Sequence, residues 1–258
     1  MEKGVPIRAI TRGLSVLQAI NRGGSITMME IARSSQVPYP TACRIVQTLL
    51  HEGMIEREPA RKRYRSTALV QSLASGYHDD SELVAIARPH IVALCEQLHW
   101  PISVTSRVGA HMMVRDSTHT MTSLTLNNYY PGFTLPIMEC SSGKAYMAYC
   151  SDSEREQVLE GLRMVEGAAE RMATLLLSSN NLLEEIRRDG FATQARNAYT
   201  ANPGKTSSIA VPLFKDGHVV GAIVLIFFSV AMPMEKALGQ FVAPLKATAE
   251  LISGALGV

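Results

Sequence analysis

Apolar residues recur at two different spacings along the chain, and the change of spacing separates a short N-terminal part from a longer C-terminal part. Up to about residue 54 the spacing is helical, and the third helical segment is the most regular. It begins at Pro40, which suits a first helical turn because proline has no N–H to leave unpaired there, and it is closed by Gly53. Its apolar positions follow the spacing of a helix with one buried face: Ala42, Ile45, Val46, Leu49 and Leu50.

Two more helices are predicted before this one. The first runs from about Thr11 to Asn21 and ends at the glycines of "RGG". The second opens with Thr27-x-x-Glu30, a capping box in which each side chain binds a backbone N–H at the helix start, and it breaks before Pro38. The N-terminal part is therefore predicted to be a three-helix module.

After this module the spacing changes to that of short strands. "MIERE" and "RKRYRST" are joined by a turn at Pro59-Ala60, and the hairpin tip carries Arg61-Lys62-Arg63. Two helices joined by a tight turn and followed by a basic hairpin are typical of a winged helix-turn-helix. Residues 1–70 hold eleven lysines and arginines against five acids, a balance of +6, so the remainder carries −4 of the net +2. This asymmetry indicates a polyanionic partner for the module.

In a winged helix-turn-helix the third helix enters the major groove of DNA, and we expect the hairpin tip to lie along the phosphates. The candidate DNA-binding residues come from the first helix, the start and polar face of the third helix, and the hairpin tip. They are Arg12, Tyr39, Thr41, Arg44, Gln47, Thr48, Arg61, Lys62 and Arg63. Taken singly, each feature has a plainer alternative, a solvated helix face or a hairpin that only aids solubility.

Residues 80–258 alternate helices with strands, which predicts an α+β sheet domain covered by helices. The predicted helices are "ELVAIARPHIVALCEQL", "SSGKAYMAYC", "SDSEREQVLEGLR" capped by Ser151 or Ser153, "SSNNLLEEIRRDG", and a last helix from about Pro233 to Leu256. The predicted strands are "ISVTSRV", "HMMVRDS", "TSLTLN", and a pair joined at Asp216-Gly217. The apolar run at 219–232 is too short for a membrane span and predicts a buried strand.

Composition narrows the class of protein. The 47% hydrophobic and 19% charged residues are typical of a folded globular chain, and the start of the sequence does not resemble a signal peptide. The four cysteines show no C-x-x-C spacing, so neither a disulfide framework nor a zinc ribbon is predicted, and we expect a cytoplasmic protein without a metal or cofactor.

Ser141-x-x-Lys144 and "GKT" at 204–206 match fragments of catalytic and phosphate-binding motifs but lack the partners those motifs need. His111 and His119 would make a zinc site only if they met in space.

The sequence resembles the IclR family of bacterial transcriptional regulators over nearly its whole length. The resemblance is carried by "TRGLSVLQAI", "ITMMEIARSSQVPYPTACRIVQTLLHEGMIER", "YRSTALVQSLA", "LPIMECSSGKAYMA" and "SSIAVPLFKDGHVVGAIVLI". "HWPISVTSRVGAHMMVRDSTHTMTSLTL" is similar to a sub-group that controls aromatic-acid, phenylpropionate-type catabolism.

The resemblance implies a two-domain subunit. It consists of a winged helix-turn-helix domain at 1–66, a linker helix at 67–79 and a GAF-like antiparallel-sheet domain at 80–258 for effector binding and oligomerisation. It also implies a double-stranded DNA operator, a small organic-acid effector and homodimers joined through the winged-helix domains, often paired into homotetramers. RNA polymerase is a further candidate partner.

The resemblance also implies where the effector binds, at the start of the helix after "LP" and on one side of the sheet. Ser141 and Ser142 precede Gly143-Lys144, where free N–H groups and hydroxyls suit a carboxylate, and Ser208 opens the "IAVP" strand. Val224 and Ile226 stand where members that bind very small oxo-acids often have small polar residues, and residue 193, near a frequent acidic position, is Thr. An apolar pocket of this kind favours a larger, aromatic acid.

Further candidates lie on or after the second strand and near the pocket mouth. They are Arg115, Ser117, Thr118, His119, Tyr130 and Met138. Arg115 could pair with a carboxylate through two hydrogen bonds, and a surface ion pair is the equal alternative.

The sequence thus predicts a ligand-responsive regulator of a catabolic operon and not an enzyme. Two rival functions remain at this point: a DNA-binding architectural protein without sequence preference, and an enzyme that uses the C-terminal pocket. The enzyme would need a nucleophile and a base in one site, and no such pair is evident in the sequence.

Overall fold

The computed structural model describes residues 7–59, 61–74, 81–124, 129–163, 181–196 and 205–257. The chain forms two compact units, Met1–Asp79 and Asp80–Val258. Each unit is described by itself below.

Three helices form the core of the N-terminal unit: α1 (Arg8–Gly23), α2 (Met28–Ser35) and α3 (Tyr39–His51). The predicted capping box of α2 is confirmed, since the Glu30 backbone N–H donates to the Thr27 hydroxyl while the Thr27 N–H donates to the Glu30 carboxylate. Pro40 lies in the first turn of α3, as its sequence context predicted. Val16 and Ile20 of α1 pack with Ile31, Ala42 and Val46 in one apolar cluster.

A small antiparallel sheet follows, with strands β1 (Ile26–Thr27), β2 (Ile55–Arg57) and β3 (Arg63–Ser66) in the order β1-β3-β2. β2 and β3 form the predicted hairpin. Residues 68–74 form a 3-10 helix where a linker α-helix over 67–79 was expected, and residues 75–79 lie outside the described part of the chain. Thr67 shapes the start of this segment, since its hydroxyl donates to the Gly53 carbonyl and accepts from the Leu69 N–H.

The C-terminal unit is built on one antiparallel sheet in the order β6-β5-β4-β9-β8-β7. Its strands are β4 (Ile102–Val108), β5 (His111–Ser117), β6 (Thr134–Pro136), β7 (Ala192–Gln194), β8 (Thr206–Lys215) and β9 (His218–Phe228). The apolar run at 219–232 forms β9 for most of its length, and it is apolar throughout because both faces of this strand are buried. The α+β architecture predicted from the sequence is confirmed.

Helices cover both faces of this sheet. They are α4 (Ser81–Leu98), α5 (Ser141–Tyr149), α6 (Asp152–Arg163), α7 (181–189) and α8 (Met234–Leu256). On one face α4 and α8 pack over Val104, Ile209 and Ile223. On the other face α5 packs over β8 and β9, and this second layer contains the candidate ligand site.

One local prediction for the C-terminal unit differs from the structure. "TSLTLN" was expected to be a strand, but its described residues 122–124 are not extended into the sheet, and the remainder lies outside the described residues. The sheet edge is instead β6, which pairs with β5 and leads into a 3-10 turn at Ile137–Glu139.

The start of α6 is capped by Ser151, whose hydroxyl accepts from the Glu154 N–H. Among the residues described, no helix is long and apolar enough to cross a membrane.

Candidate DNA interface and ligand cavity

The helix α3 buries one face and exposes the other. Ala42 and Val46 are buried, whereas Arg44, Gln47 and Thr48 are exposed. The exposed face borders a groove between α1 and α3. Its lining includes five of the predicted DNA-binding residues: Arg12, Thr41, Arg44, Gln47 and Thr48.

The turn between α2 and α3 fixes where α3 begins. Gln36 adopts a left-handed conformation at the end of α2, and Val37 is buried immediately after it. Tyr39 begins α3 and is 46% exposed. The neighbouring Cys43, through electrostatic repulsion and a hydrogen bond, raises the pKa of Tyr39. The exposed phenol can donate a hydrogen bond. The helix thus presents donors, and no acidic side chain, on the surface predicted to meet DNA.

The three basic residues of the hairpin tip do not share one environment. Arg61 and Lys62 are exposed. Arg63 is partly buried, donates from Nη2 to the Ser25 carbonyl at 2.7 Å, and forms an ion pair with Glu30 at 3.4 Å. Arg63 therefore ties the hairpin to the start of α2, and the outward charge of the tip comes from its two neighbours.

The candidate ligand cavity lies between α5 and the face of the sheet opposite α4 and α8. Alternate residues of three strands form its floor, because side chains two apart on a strand share a face. They are Ser103 and Thr105 on β4, Thr206 and Ser208 on β8, and Val224 and Ile226 on β9. The cavity volume is about 30 Å³, and the unoccupied space around it, counting the open mouth, is about 460 Å³. The cavity is therefore narrow.

The first turn of α5 forms the opposite wall. Ser141 and Ser142 are both nearly fully buried, and the Ser141 hydroxyl shares a 2.7 Å hydrogen bond with that of Ser208. Cys140 caps the helix, since its sulfur accepts from the Gly143 N–H at 3.4 Å. Burial raises the pKa of the Cys140 thiol, so the cap is neutral. The hydroxyls, the helix dipole and a neutral cap favour an anionic ligand group at this end.

The charged residue Glu139 lines the cavity. Lys144 lies one helical turn after the cap residue Cys140. The Lys144 ammonium donates to the Thr193 carbonyl at 3.3 Å, and burial lowers its pKa. Gln194, next to Thr193 on β7, reaches the lining.

Five of the eleven predicted effector-binding residues are thus brought together around one cavity: Ser141, Ser142, Ser208, Val224 and Ile226. The other six lie outside its lining. Arg115 sits beside a β-bulge and donates to the Ser106 hydroxyl at 3.0 Å. Ser117 binds the cavity residue Ser103 through a 3.0 Å hydrogen bond between hydroxyls.

The remaining four have structural contacts of other kinds. The Thr118 hydroxyl accepts from the Ile102 N–H and so closes the end of the β4–β5 pair. His119 follows that pair, with its N–H donating to the Ser117 hydroxyl. Tyr130 packs edge-on against Phe133, and Met138 packs on the apolar cluster beneath α5.

Other lining residues were not predicted: Ser103, Thr105, Val114, Tyr129, Leu135, Glu139, Cys140, Gln194, Thr206 and Ser207. Strand alternation could have found Thr206 from Ser208, because the two share a face. No local signal distinguishes Tyr129 from Tyr130, since both lie in an irregular segment. His111 begins β5 and His119 follows its far end, and the described residues contain no group of three or more His, Cys, Asp or Glu side chains able to hold a metal.

Comparison with known proteins covers both units. The C-terminal domain model of the bacterial transcriptional regulator IclR matches residues 75–254, and the IclR helix-turn-helix domain model matches residues 9–59. The DNA-binding transcriptional repressor YiaJ of Escherichia coli (strain K12) is 24% identical over 258 residues, which cover 99% of this chain and 90% of YiaJ. The HTH-type transcriptional regulator TsaQ1/TsaQ2 of Comamonas testosteroni is 23% identical over 159 residues, 61% of this chain and 57% of that protein.

A solved structure resembles the whole fold. An IclR homologue from Microbacterium hydrocarbonoxydans, crystallised in complex with 4-hydroxybenzoate, superposes with a TM-score of 0.66 at 22% identity, covering 96% of this chain and 98% of that one. At this level of identity the likeness shows a shared fold.

Proposed function

This chain belongs to the IclR family of bacterial transcriptional regulators, and we propose that it controls a catabolic operon in response to a small aromatic acid. The observation that carries the proposal is the coexistence of two sites in one chain. One is an exposed recognition-helix face beside a basic hairpin. The other is a cavity with hydroxyls and a helix start at one end and the apolar side chains of Val224 and Ile226 on its floor.

The proposed operator contact begins with α3. Arg44 is exposed at the middle of the helix, and its guanidinium suits the paired acceptors of guanine in the major groove. Arg61 and Lys62 would bind phosphates, which position the protein without reading sequence. A homodimer would place two such helices on half-sites about one helical turn, or a few turns, apart.

The proposed effector is an aromatic carboxylic acid. Its carboxylate would lie at the first turn of α5, beside the Ser141 and Ser142 hydroxyls, and its ring would contact Val224 and Ile226. The complex of the Microbacterium homologue with 4-hydroxybenzoate supports this class of ligand.

Regulation would follow from a shift between two conformations with different operator affinity. Couplings of this kind typically change affinity about 5- to 150-fold. A homodimer or homotetramer is the proposed assembly.

The test has two stages. Fragments of the source genome that bind the full chain are selected and sequenced, and we expect a few palindromic sites beside genes for aromatic-acid degradation. Operator affinity is then measured with and without 4-hydroxybenzoate and related acids, and a change of at least about 5-fold is expected. Uniform recovery of fragments would instead favour an architectural protein, and an operator unaffected by any acid would contradict the proposed effector.

Arg44→Ala provides the matched variant for the first stage. It should weaken operator binding by about 1–3 kcal/mol and relax preference at one base pair. Equal weakening on every sequence would exclude a base-reading role for Arg44.

A further inference from the structure

The ligand cavity ends at a single tyrosine. Tyr129 is only 4% exposed, and its hydroxyl forms a 3.2 Å hydrogen bond with the Thr206 hydroxyl. Its ring packs edge-on against Phe133, with centroids 5.7 Å apart. Tyr129 and Thr206 therefore meet across one end of the cavity.

A second, smaller cavity lies on the far side of this contact. Tyr129, Thr206 and Ile226 line both cavities. The remaining walls of the second cavity are apolar and largely aromatic: Pro101, Leu124, Phe227 and Phe228. Its volume is about 10 Å³, within about 170 Å³ of unoccupied space. Tyr129 thus forms a partition between the ligand cavity and a smaller apolar one.

The first cavity is narrow, with about 460 Å³ of unoccupied space once its open mouth is counted. A ligand that fills it from the α5 end reaches Tyr129, and a longer ligand requires that side chain to be displaced.

Most walls are fixed by their surroundings. The floor belongs to β4, β8 and β9, which are hydrogen-bonded within the sheet. The α5 wall is held by close backbone contact, because a Cβ on Gly143 would overlap the Ile137 carbonyl. Tyr129, in contrast, lies in an irregular segment and borders the second cavity. Burial raises the pKa of Tyr129, and its neutral hydroxyl can donate or accept a hydrogen bond.

We propose that Tyr129 is the specificity-determining residue of the cavity, a movable partition that sets the length of the aromatic acid accepted. Displacement of its ring joins the two cavities, so a longer ligand extends from the α5 end toward Phe227 and Phe228. Edge-on packing against these rings favours an aryl group there. The inference rests on the proposed aromatic-acid effector.

The experiment is calorimetric titration of the full chain with four probes of increasing length. They are 4-hydroxybenzoate, 4-hydroxyphenylacetate, 3-(4-hydroxyphenyl)propionate and biphenyl-4-carboxylate. Tyr129→Ala should raise affinity for the longest acid relative to the shortest by about 10-fold or more, a range typical of a resized apolar pocket. Tyr129→Phe should change the same ratio in the same direction by less, because only the bond to Thr206 is removed.

Tyr149 offers a matched control. It is a partly buried tyrosine outside both cavities, and its hydroxyl donates to the Ile186 and Arg187 carbonyls. Tyr149→Ala and Tyr149→Phe should leave the ratio of affinities unchanged. Circular dichroism checks that each variant is folded, and Tyr129→Phe preserves the ring if Tyr129→Ala does not fold.

The outcomes separate this inference from the effector proposal. Binding to the wild type with the same ratio in the Tyr129 variants would overturn the partition and leave the effector class intact. Absence of binding to the wild type and to every variant would overturn both. Binding of the long acid by Tyr129→Ala alone would support the partition.

Discussion

Gly143 is the residue on which the helical wall of the ligand cavity depends. A methyl group at this position would overlap the Ile137 carbonyl, so the helix could not keep its place. Gly143→Ala should lower the free energy of unfolding by about 1–3 kcal/mol, measured by urea denaturation. Gly161→Ala is the control, because space around Gly161 within α6 is open, and alanine there should stabilise by about 0.5–1 kcal/mol. Similar effects at both positions would show that the close approach is unimportant.

Glu30 gives the N-terminal unit a predictable response to acid. Hydrogen bonds from the backbone N–H and hydroxyl of Thr27, and the nearby Arg63, hold the pKa of Glu30 below its usual value of 4.5. A lowered pKa in the folded state means that its stabilisation is present above pH 4.5 and is lost as the pH falls through the folded value. In thermal unfolding, Glu30→Gln should therefore be less stable than the wild type at pH 7, with a difference that shrinks below pH 4.5. Glu52→Gln, at the exposed end of α3 and outside the capping box, is the control for the loss of one carboxylate.

Among the secondary-structure elements, the hairpin β2–β3 separates two roles among three consecutive basic residues. Arg61→Gln and Lys62→Gln should each lower the slope of log affinity for DNA against log salt by about 0.9 for every phosphate that the wild-type side chain neutralises. Arg63→Gln should change the slope less and stability more, because its guanidinium binds Ser25 and Glu30. Arg188→Gln, an exposed change in the C-terminal unit, is the control. An equal change of slope for all three hairpin variants would contradict this division.

At the scale of the whole molecule, an apolar stripe at the start of α1 is left exposed by the described residues of its unit. The stripe consists of Ile7, which precedes the helix, and of Ile10 and Leu14, and these residues are 65%, 58% and 54% exposed. We predict that this stripe belongs to the proposed dimer interface, so Leu14→Glu should shift the chain toward monomer in sedimentation experiments and weaken operator binding. Met29→Glu, an exposed apolar residue on α2, should do neither. An unchanged dimer would assign the main interface to the C-terminal unit.

Much of the fold could be predicted because its signals are local. The capping box at Thr27, the proline in the first turn of α3 and the buried run of β9 each act within a few residues, and the structure has all three. The edge strand β6 was not predicted because three residues are too few to show the alternation of a strand. Its extended form depends on backbone pairing with β5, which the local sequence does not reveal. The linker segment likewise forms a 3-10 helix, which the spacing of its apolar residues does not distinguish from an α-helix.

The order of residues along the chain was enough to identify the groups able to bind DNA and a ligand: a basic recognition module, hydroxyls at the start of α5, and an apolar strand pair. Which of these groups meet became clear only in the folded molecule. Folding placed Arg63 inward, left Arg115 outside the cavity lining, and set Tyr129 rather than Tyr130 between two cavities. The physical reason is that helix and strand periodicity fix the face on which a side chain lies, whereas packing between distant segments fixes what that face encloses.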